Sequence, residues 1–267
     1  MKIGIIGCAG RMGRMLVRQV AETEGCELAG GSEAPGHPAL GADVAATAGL
    51  EAAGLVIGDD AAAVLAGCDV GIEFSLPGPT TEHAELAAGM DARLVVGTTG
   101  FDDDQELRFQ KAASAAAIVR ASNFSAGVNV LFALSKRLAA TLDDDYDIEV
   151  VEMHHRHKVD APSGTALSLG LAAAEGRGVK LAEVAARGRD GITGERRRGD
   201  IGFAALRGGD VVGEHSVVFA GDGERVELTH KAASRVIFAA GAVRAARWLV
   251  DKPPGLYSMF DVLGFDD

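Results

Sequence analysis

A short apolar run, Lys2 to Gly7, stops on a glycine, and the pattern Gly7-Cys8-Ala9-Gly10-Arg11-Met12-Gly13 continues from it. Arg11 to Glu22 then carries Met12, Met15, Leu16 and Val20 near helical spacing. A strand that ends in a glycine turn and opens a helix is the start of a parallel β-α unit. Glycine allows the turn to be tight and lets backbone N–H groups reach a pyrophosphate at the helix start. Glu33 lies 20 residues after Gly13, behind a second strand-like run at Glu27 to Gly31. An acid there accepts hydrogen bonds from the hydroxyls of an adenine ribose. Three glycines alone are a weak signal, and a purely structural turn is the alternative. Strand, helix and acid in register make the nucleotide reading the stronger one.

The rest of the first half keeps alternating. Leu55 to Ile57, Val70 to Phe74, Leu94 to Val96 and Ile118 to Val119 are short apolar runs. Between them lie the helical stretches Asp60 to Ala66, Thr80 to Ala88 and Asp102 to Ala116, the last opening on three aspartates that suit a helix N-terminus. Repeated alternation predicts an α/β fold with a doubly wound parallel sheet. Ligands of such sheets bind beyond the carboxyl ends of the strands. Gly97-Thr98-Thr99 and Ala121-Ser122-Asn123-Phe124 each follow a strand there. Each is a candidate cofactor segment, with an ordinary loop as the alternative.

The second half reads differently. A helix from about Val128 to Thr141 precedes a strand, Tyr146 to Met153, and an Ala/Leu-rich helix, Thr165 to Ala174. Three strand-like runs follow, Ile201 to Leu206, Val211 to Phe219 and Arg225 to His230. Gly208-Gly209-Asp210 and Gly221-Asp222-Gly223 between them read as hairpin turns. An antiparallel or mixed sheet is expected, then a last helix, Arg235 to Leu249. Arg196-Arg197-Arg198 reads as a short cationic run on a solvated loop.

Within this half, His154-His155-Arg156-His157-Lys158 puts five consecutive histidine or cationic residues into a chain of formal net charge −12. Pro162 and Ser163 then suit a helix start, with Gly164 and Thr165 in its first turn, where backbone donors favour an anion. Together these residues predict a local positive pocket for a carboxylate-bearing substrate, with proton donors inside it. Metal binding is the rival, but the histidines lack i, i+4 spacing and no cysteine is near, so no metal site is expected. A solvated basic loop is the bland reading. The acidic balance argues against nucleic acid as partner, and no charge-free stretch is long enough to cross a membrane. Cys8, Cys26 and Cys68 form neither a disulfide framework nor a zinc pattern, which suits a cytoplasmic protein.

The segments GxxGRMG, GTTGF, SNFSxGVN, EMHHRHKVDAPSGTA and GFAALRGGDVVGEHSVVF together resemble the 4-hydroxy-tetrahydrodipicolinate reductase (dihydrodipicolinate reductase) family, from Lys2 to about Leu263. The resemblance implies a Rossmann-like nucleotide domain at residues 1–125 and 235–267, interrupted by an α+β substrate and oligomerisation domain at 126–234, and a homotetramer. It implies NAD(P)H-dependent reduction of a cyclic dicarboxylate in lysine and diaminopimelate synthesis. By position, Gly7, Cys8, Ala9, Gly10, Arg11 and Met12 match the pyrophosphate loop and Glu33 the ribose acid. Gly97, Thr98, Thr99, Ala121, Ser122, Asn123 and Phe124 match the nicotinamide side. His154 and Lys158 match the acid/base residues. His155, Lys158, Ser163, Gly164 and Thr165 match substrate contacts. Some members follow the ribose acid with an arginine; here it is Ala34, so NADH is expected to serve at least as well as NADPH. Another small-molecule NAD(P)H dehydrogenase, or a non-catalytic NAD(H) sensor, stays open as an alternative.

Overall fold

The computed structural model describes residues 1–265. The chain divides into two compact units, one from Met1–Ser125 together with the chain from Val236 onward, the other Ala126–Arg235.

In the first unit the chain runs β1 (Lys2–Ile6), α1 (Arg11–Glu22), β2 (Glu27–Ser32), α2 (Val44–Thr47), α3 (Ala61–Ala66), β3 (Val70–Glu73), α4 (Pro77–Met90), β4 (Leu94–Val96), α5 (Asp103–Ala113) and β5 (Ala117–Arg120). The second unit holds α6 (Ala126–Thr141), β6 (Asp147–His154), α7 (Gly164–Gly176), α8 (Leu181–Val184), β7 (Ala185–Ala186), β8 (Ile201–Arg207), β9 (Gly213–Gly221) and β10 (Glu224–Ala232). The chain returns to the first unit as α9 (Val236–Leu249), β11 (Gly255–Tyr257) and α10 (Met259–Leu263).

The first unit is built on a six-stranded sheet of order β11-β5-β4-β3-β1-β2, and every pairing in it is parallel. Helices on both faces explain why its central strands are apolar throughout rather than alternating. Ile3, Ile5, Ile72, Val95 and Val119 bury into one core with Leu16, Val17 and Val20 of α1 and the small residues of α9. Ile6, Leu94, Val96 and Ile118 bury into a second core with Phe109. Asp102 caps α5, and Asp102 and Gln105 form a reciprocal capping box, so the three aspartates start this helix as expected. Leu55 to Ile57 forms only an isolated bridge, between Val56 and Asp43, rather than a strand. β11 was not expected: it follows Pro253-Pro254 and adds an edge strand beside β5.

The second unit carries a five-stranded mixed sheet of order β10-β9-β6-β8-β7. Gly221-Asp222-Gly223 does make the β9–β10 hairpin. Gly208-Gly209-Asp210 does not make a hairpin, which corrects the expectation: β6 lies between β8 and β9, parallel to one and antiparallel to the other. The 208–211 segment instead wraps the end of β6. Gly208 N–H donates to the His154 carbonyl (2.9 Å) and His155 N–H to the Val211 carbonyl (2.7 Å). The Arg196–Arg198 run is tied down by carboxylates: Arg196 to Asp147 and Glu149, Arg197 to Asp200, Arg198 to Asp145.

Candidate functional site

Functional groups gather in both units. In the first, the β1–α1 turn is shaped by glycine. Gly7 has φ +77°, in the region side chains avoid. A Cβ on Gly13 would fall 2.0 Å from the Gly7 carbonyl oxygen, so helix and turn pack closely only because it is absent. Helix α1 begins with no side-chain cap, which leaves its first-turn N–H groups suited to an anion. Arg11 and Gly10 are exposed there and Met12 is half-buried. Glu33 stands directly after β2, and its Oε1 accepts from Ala9 N–H at 2.7 Å. Ala34 beside it is exposed and supplies no cation. Cys8 turns inward: its side chain is buried, and burial followed by the Glu33 charge pushes its thiol up to about 12. These features fit a dinucleotide with its pyrophosphate on the loop and its ribose against Glu33.

Gly97, at the end of β4, lies under Phe74; an added Cβ would come within 2.1 Å of that ring, which in turn packs 5.4 Å from the ring of Phe124. Thr99 and Ser122 are exposed, whereas Thr98 is buried. Asn123 Oδ1 accepts from Ser125 N–H at 2.8 Å, which shapes the turn after β5. Ala121 N–H donates to the Val96 carbonyl at 3.2 Å, which holds this segment beside the end of β4.

In the second unit the site follows from strand register. Along β6, Ile148, Val150, Glu152 and His154 alternate onto the buried face, under α7. Antiparallel pairing sets His215 opposite Glu152, and parallel pairing sets Arg207 opposite His154. Glu152 is 1 % exposed and fully partnered. Its Oε2 lies 2.5 Å from His154 Nδ1, its Oε1 accepts from Ser163 N–H (3.2 Å), and Arg207 grips both oxygens at 2.8 Å. Burial alone would raise its carboxyl pKa; the hydrogen bonds and charges of Arg207 and His154 outweigh that and hold it below the usual carboxylate range. A carboxylate only accepts, so His154 donates from Nδ1, and its Nε2 is the nitrogen left for chemistry. The His215 ring stands edge-on to His154 at 5.1 Å; burial first, then the His154 charge, push its pKa down to about 4, so it is neutral at pH 7.

The loop after β6 splits the basic run. Arg156 and His157 are exposed, while Lys158 Nζ pairs with Asp160 Oδ1 at 2.8 Å. Arg235 Nη2 lies 3.1 Å from His155 Nε2; arginine only donates, so His155 accepts there and is neutral. Desolvation, then the Arg235 charge, lowers the His155 pKa accordingly. Ser163 serves the fold first: it caps α7 by accepting from Ala166 N–H (3.1 Å), its own N–H goes to Glu152, and its Oγ is 3.1 Å from His215 Nε2. Gly164 and Thr165 are the first residues of α7, where N–H groups point out of the helix start. Sequence reasoning missed Glu152, Arg207, His215, Asp160 and Arg235. The signal available for Glu152 and His154 was their period-two spacing with Ile148 and Val150.

Among the described residues no cluster of histidine, cysteine or carboxylates is arranged to hold a metal. No helix among them is long and apolar enough to cross a membrane.

Comparison with known proteins agrees across the whole chain. Residues 1–124 match the family model described as dihydrodipicolinate reductase, N-terminus, and residues 127–263 the model for its C-terminus. A 4-hydroxy-tetrahydrodipicolinate reductase of Parvibaculum lavamentivorans is 57% identical over 266 residues, covering 99% of this chain and 98% of the relative. One from Dinoroseobacter shibae is 55% identical over 262 residues, covering 98% and 97%. The solved structure of a dipicolinate-bound dihydrodipicolinate reductase from Paenisporosarcina sp. TG-14 superposes with TM-score 0.77 at 25% identity, covering 97% of each chain.

Proposed function

The chain belongs to the dihydrodipicolinate reductase family, NAD(P)H-dependent oxidoreductases of lysine and diaminopimelate synthesis that reduce 4-hydroxy-tetrahydrodipicolinate, and on that premise we propose how its residues divide the work. The observation that carries the proposal is the buried Arg207–Glu152–His154 array beside the Lys158 loop and the start of α7.

The bound nicotinamide dinucleotide supplies the hydride. The Gly7 to Met12 turn receives its pyrophosphate at the first-turn N–H groups of Arg11 and Met12, while the N–H groups of Gly7, Cys8, Ala9 and Gly10 donate within the fold and shape the turn; Glu33 accepts from its ribose hydroxyls. Gly97 to Thr99 and Ala121 to Phe124 border its nicotinamide half. A 2′-phosphate would face the Glu33 charge with no cation at Ala34, so NADH serves at least as well as NADPH.

The substrate is a cyclic dicarboxylate. One carboxylate lies against Lys158, His155 and the first turn of α7 at Gly164 and Thr165, with Ser163 shaping that turn. Lys158 exchanges its Asp160 partner for the substrate carboxylate and delivers the proton. His154, oriented by Glu152 through Nδ1, polarises the substrate with Nε2. The His154 role uses an orientation already fixed by Glu152 and Arg207, so little reorganisation is needed there.

A homotetramer also belongs to this reading. The face of the mixed sheet turned away from α7 carries Val151, Met153 and Val218, half-buried, and Leu206, exposed, which a neighbouring subunit would cover. A cytoplasmic location suits the three cysteines, all free thiols. The test is incubation with NADH and freshly made substrate, following loss of cofactor absorbance. Substrate-dependent oxidation is expected; NADH binding with no turnover would favour a sensor instead.

A further inference from the structure

A carboxylate stands inside the nucleotide unit where strand patterning calls for an apolar residue. Glu73 ends β3, is 0% exposed, and lies between Ile6 of β1 and Val96 of β4 in register. One of its oxygens collects three neighbours: Ser75 Oγ (2.5 Å), Thr80 Oγ1 (2.9 Å) and His83 Nδ1 (2.9 Å). The other, Oε2, is buried with no partner. Burying a carboxylate with a bare oxygen is costly, so a chain that keeps one gains something besides packing. The network leads to one place. Thr80 Oγ1 lies 2.8 Å from Thr98 Oγ1, and Thr98 Oγ1 also accepts from Ser75 N–H at 3.1 Å. Thr80 Oγ1 stands within hydrogen-bond distance of both Glu73 Oε1 and Thr98 Oγ1, so its single proton links the carboxylate to Thr98. Thr98 is buried, its neighbour Thr99 is exposed, and Gly97 N–H donates to the Glu73 carbonyl at 2.9 Å. The backbone and side chain of one residue therefore anchor both Gly97 and Thr98.

We propose that Glu73 is a positioning residue for the cofactor: through Thr80 and Thr98 it fixes the Gly97–Thr99 segment in the shape that receives the nicotinamide half. This rests on the assignment of that segment to the nicotinamide side given above. Glu73 touches neither substrate nor cofactor and acts only through the segment.

The test compares NADH with ADP-ribose, which keeps the adenosine and pyrophosphate but lacks the nicotinamide. Glu73→Gln keeps the volume and one acceptor oxygen but removes the negative charge on which three neighbours converge. Thr98→Val removes the anchoring hydroxyl and serves if Glu73→Gln does not fold. Calorimetric titration should show NADH bound about tenfold more weakly, the usual scale for a broken buried hydrogen-bond network. ADP-ribose affinity should be unchanged. Equal loss for both ligands, or loss of thermal stability with neither affinity changed, would leave Glu73 a purely structural group and overturn the proposal. Gly97→Ala, which pushes against Phe74, separates this from failure of the underlying assignment. If it weakens NADH selectively while the Glu73 and Thr98 variants do not, the segment faces the nicotinamide but Glu73 does not position it. If none of the three separates the two ligands, the segment does not hold the nicotinamide half, and both statements fall.

Discussion

At the β1–α1 turn of the first unit the useful groups are mostly backbone. Gly7 and Gly13 are there for what they lack, α1 opens without a side-chain cap, and Glu33 and Arg14 brace the loop through the Ala9 N–H and carbonyl. At the end of β6 in the second unit the useful groups are side chains, and they hold one another: Arg207 grips Glu152, Glu152 orients His154, and Asp160 meets Lys158. A site made of backbone is damaged by adding atoms. A site made of interlocked charges is damaged by removing one. The two regions should therefore fail in different ways and independently.

The largest effect is expected at Lys158. Methionine there has similar length but neither holds a carboxylate nor donates a proton. Lys158→Met should lower kcat by about 10²–10⁴-fold, the range for a positioned general acid. NADH affinity, read by fluorescence titration, should hardly move, because the loop proposed to hold the nucleotide belongs to the other unit. Near-normal turnover would remove Lys158 from the chemistry, and parallel loss of NADH binding would break the separation of the two regions. His154→Gln should show a smaller turnover defect, since an amide keeps hydrogen bonding but transfers no proton.

Acid should act on the second region. An unfolded histidine titrates near 6.5, but His215 stays neutral down to about 4. Between those values the unfolded chain binds the extra proton, so stability falls as pH falls. Glu152 adds to this lower down: its depressed carboxyl contributes stability above the ordinary carboxylate pKa, which is lost as pH drops through the folded value. His215→Gln removes the first contribution. Denaturant unfolding at pH 6.5 and 4.5 should show the variant losing less stability between the two than the parent, by about 1–3 kcal/mol. Equal losses would mean His215 is not held neutral by the fold.

A smaller effect belongs to the first region. Ala34→Arg should move the ratio of kcat/KM toward NADPH by about tenfold, or about 1.4 kcal/mol, while leaving the KM for the dicarboxylate alone. A parent enzyme that already prefers NADPH tenfold would contradict the role given to Glu33.

The same contrast decides what could be read from the sequence. The parallel sheet, the glycine turn and the acid after β2 are local: each is written in a few consecutive residues whose backbone needs are distinctive. β11 was not legible because three residues after a proline pair carry no period, and only the neighbouring edge of β5 makes them a strand. The basic segment was visible as composition, and the resemblance gave it roles. Its working partners were not visible. Arg207 and His215 lie more than fifty residues from Glu152 and reach it only through register. The glycines at 208–209 have the composition of a hairpin, yet β6 takes the place between β8 and β9, a choice made by sheet order rather than by the turn. Glu73 was hidden because a charge ending an apolar run reads as the end of the strand rather than as a buried anchor.

The proposal that the substrate is a cyclic dicarboxylate requires a second carboxylate of the same ring to be held beside the one placed against Lys158 and the start of α7. Calorimetric titration with pyridine-2,6-dicarboxylate, beside pyridine-2-carboxylate under identical conditions, tests it most directly. The dicarboxylate should bind at least about tenfold more tightly, as expected when a second charged group meets a built donor set. Equal affinity for the two acids would contradict the account.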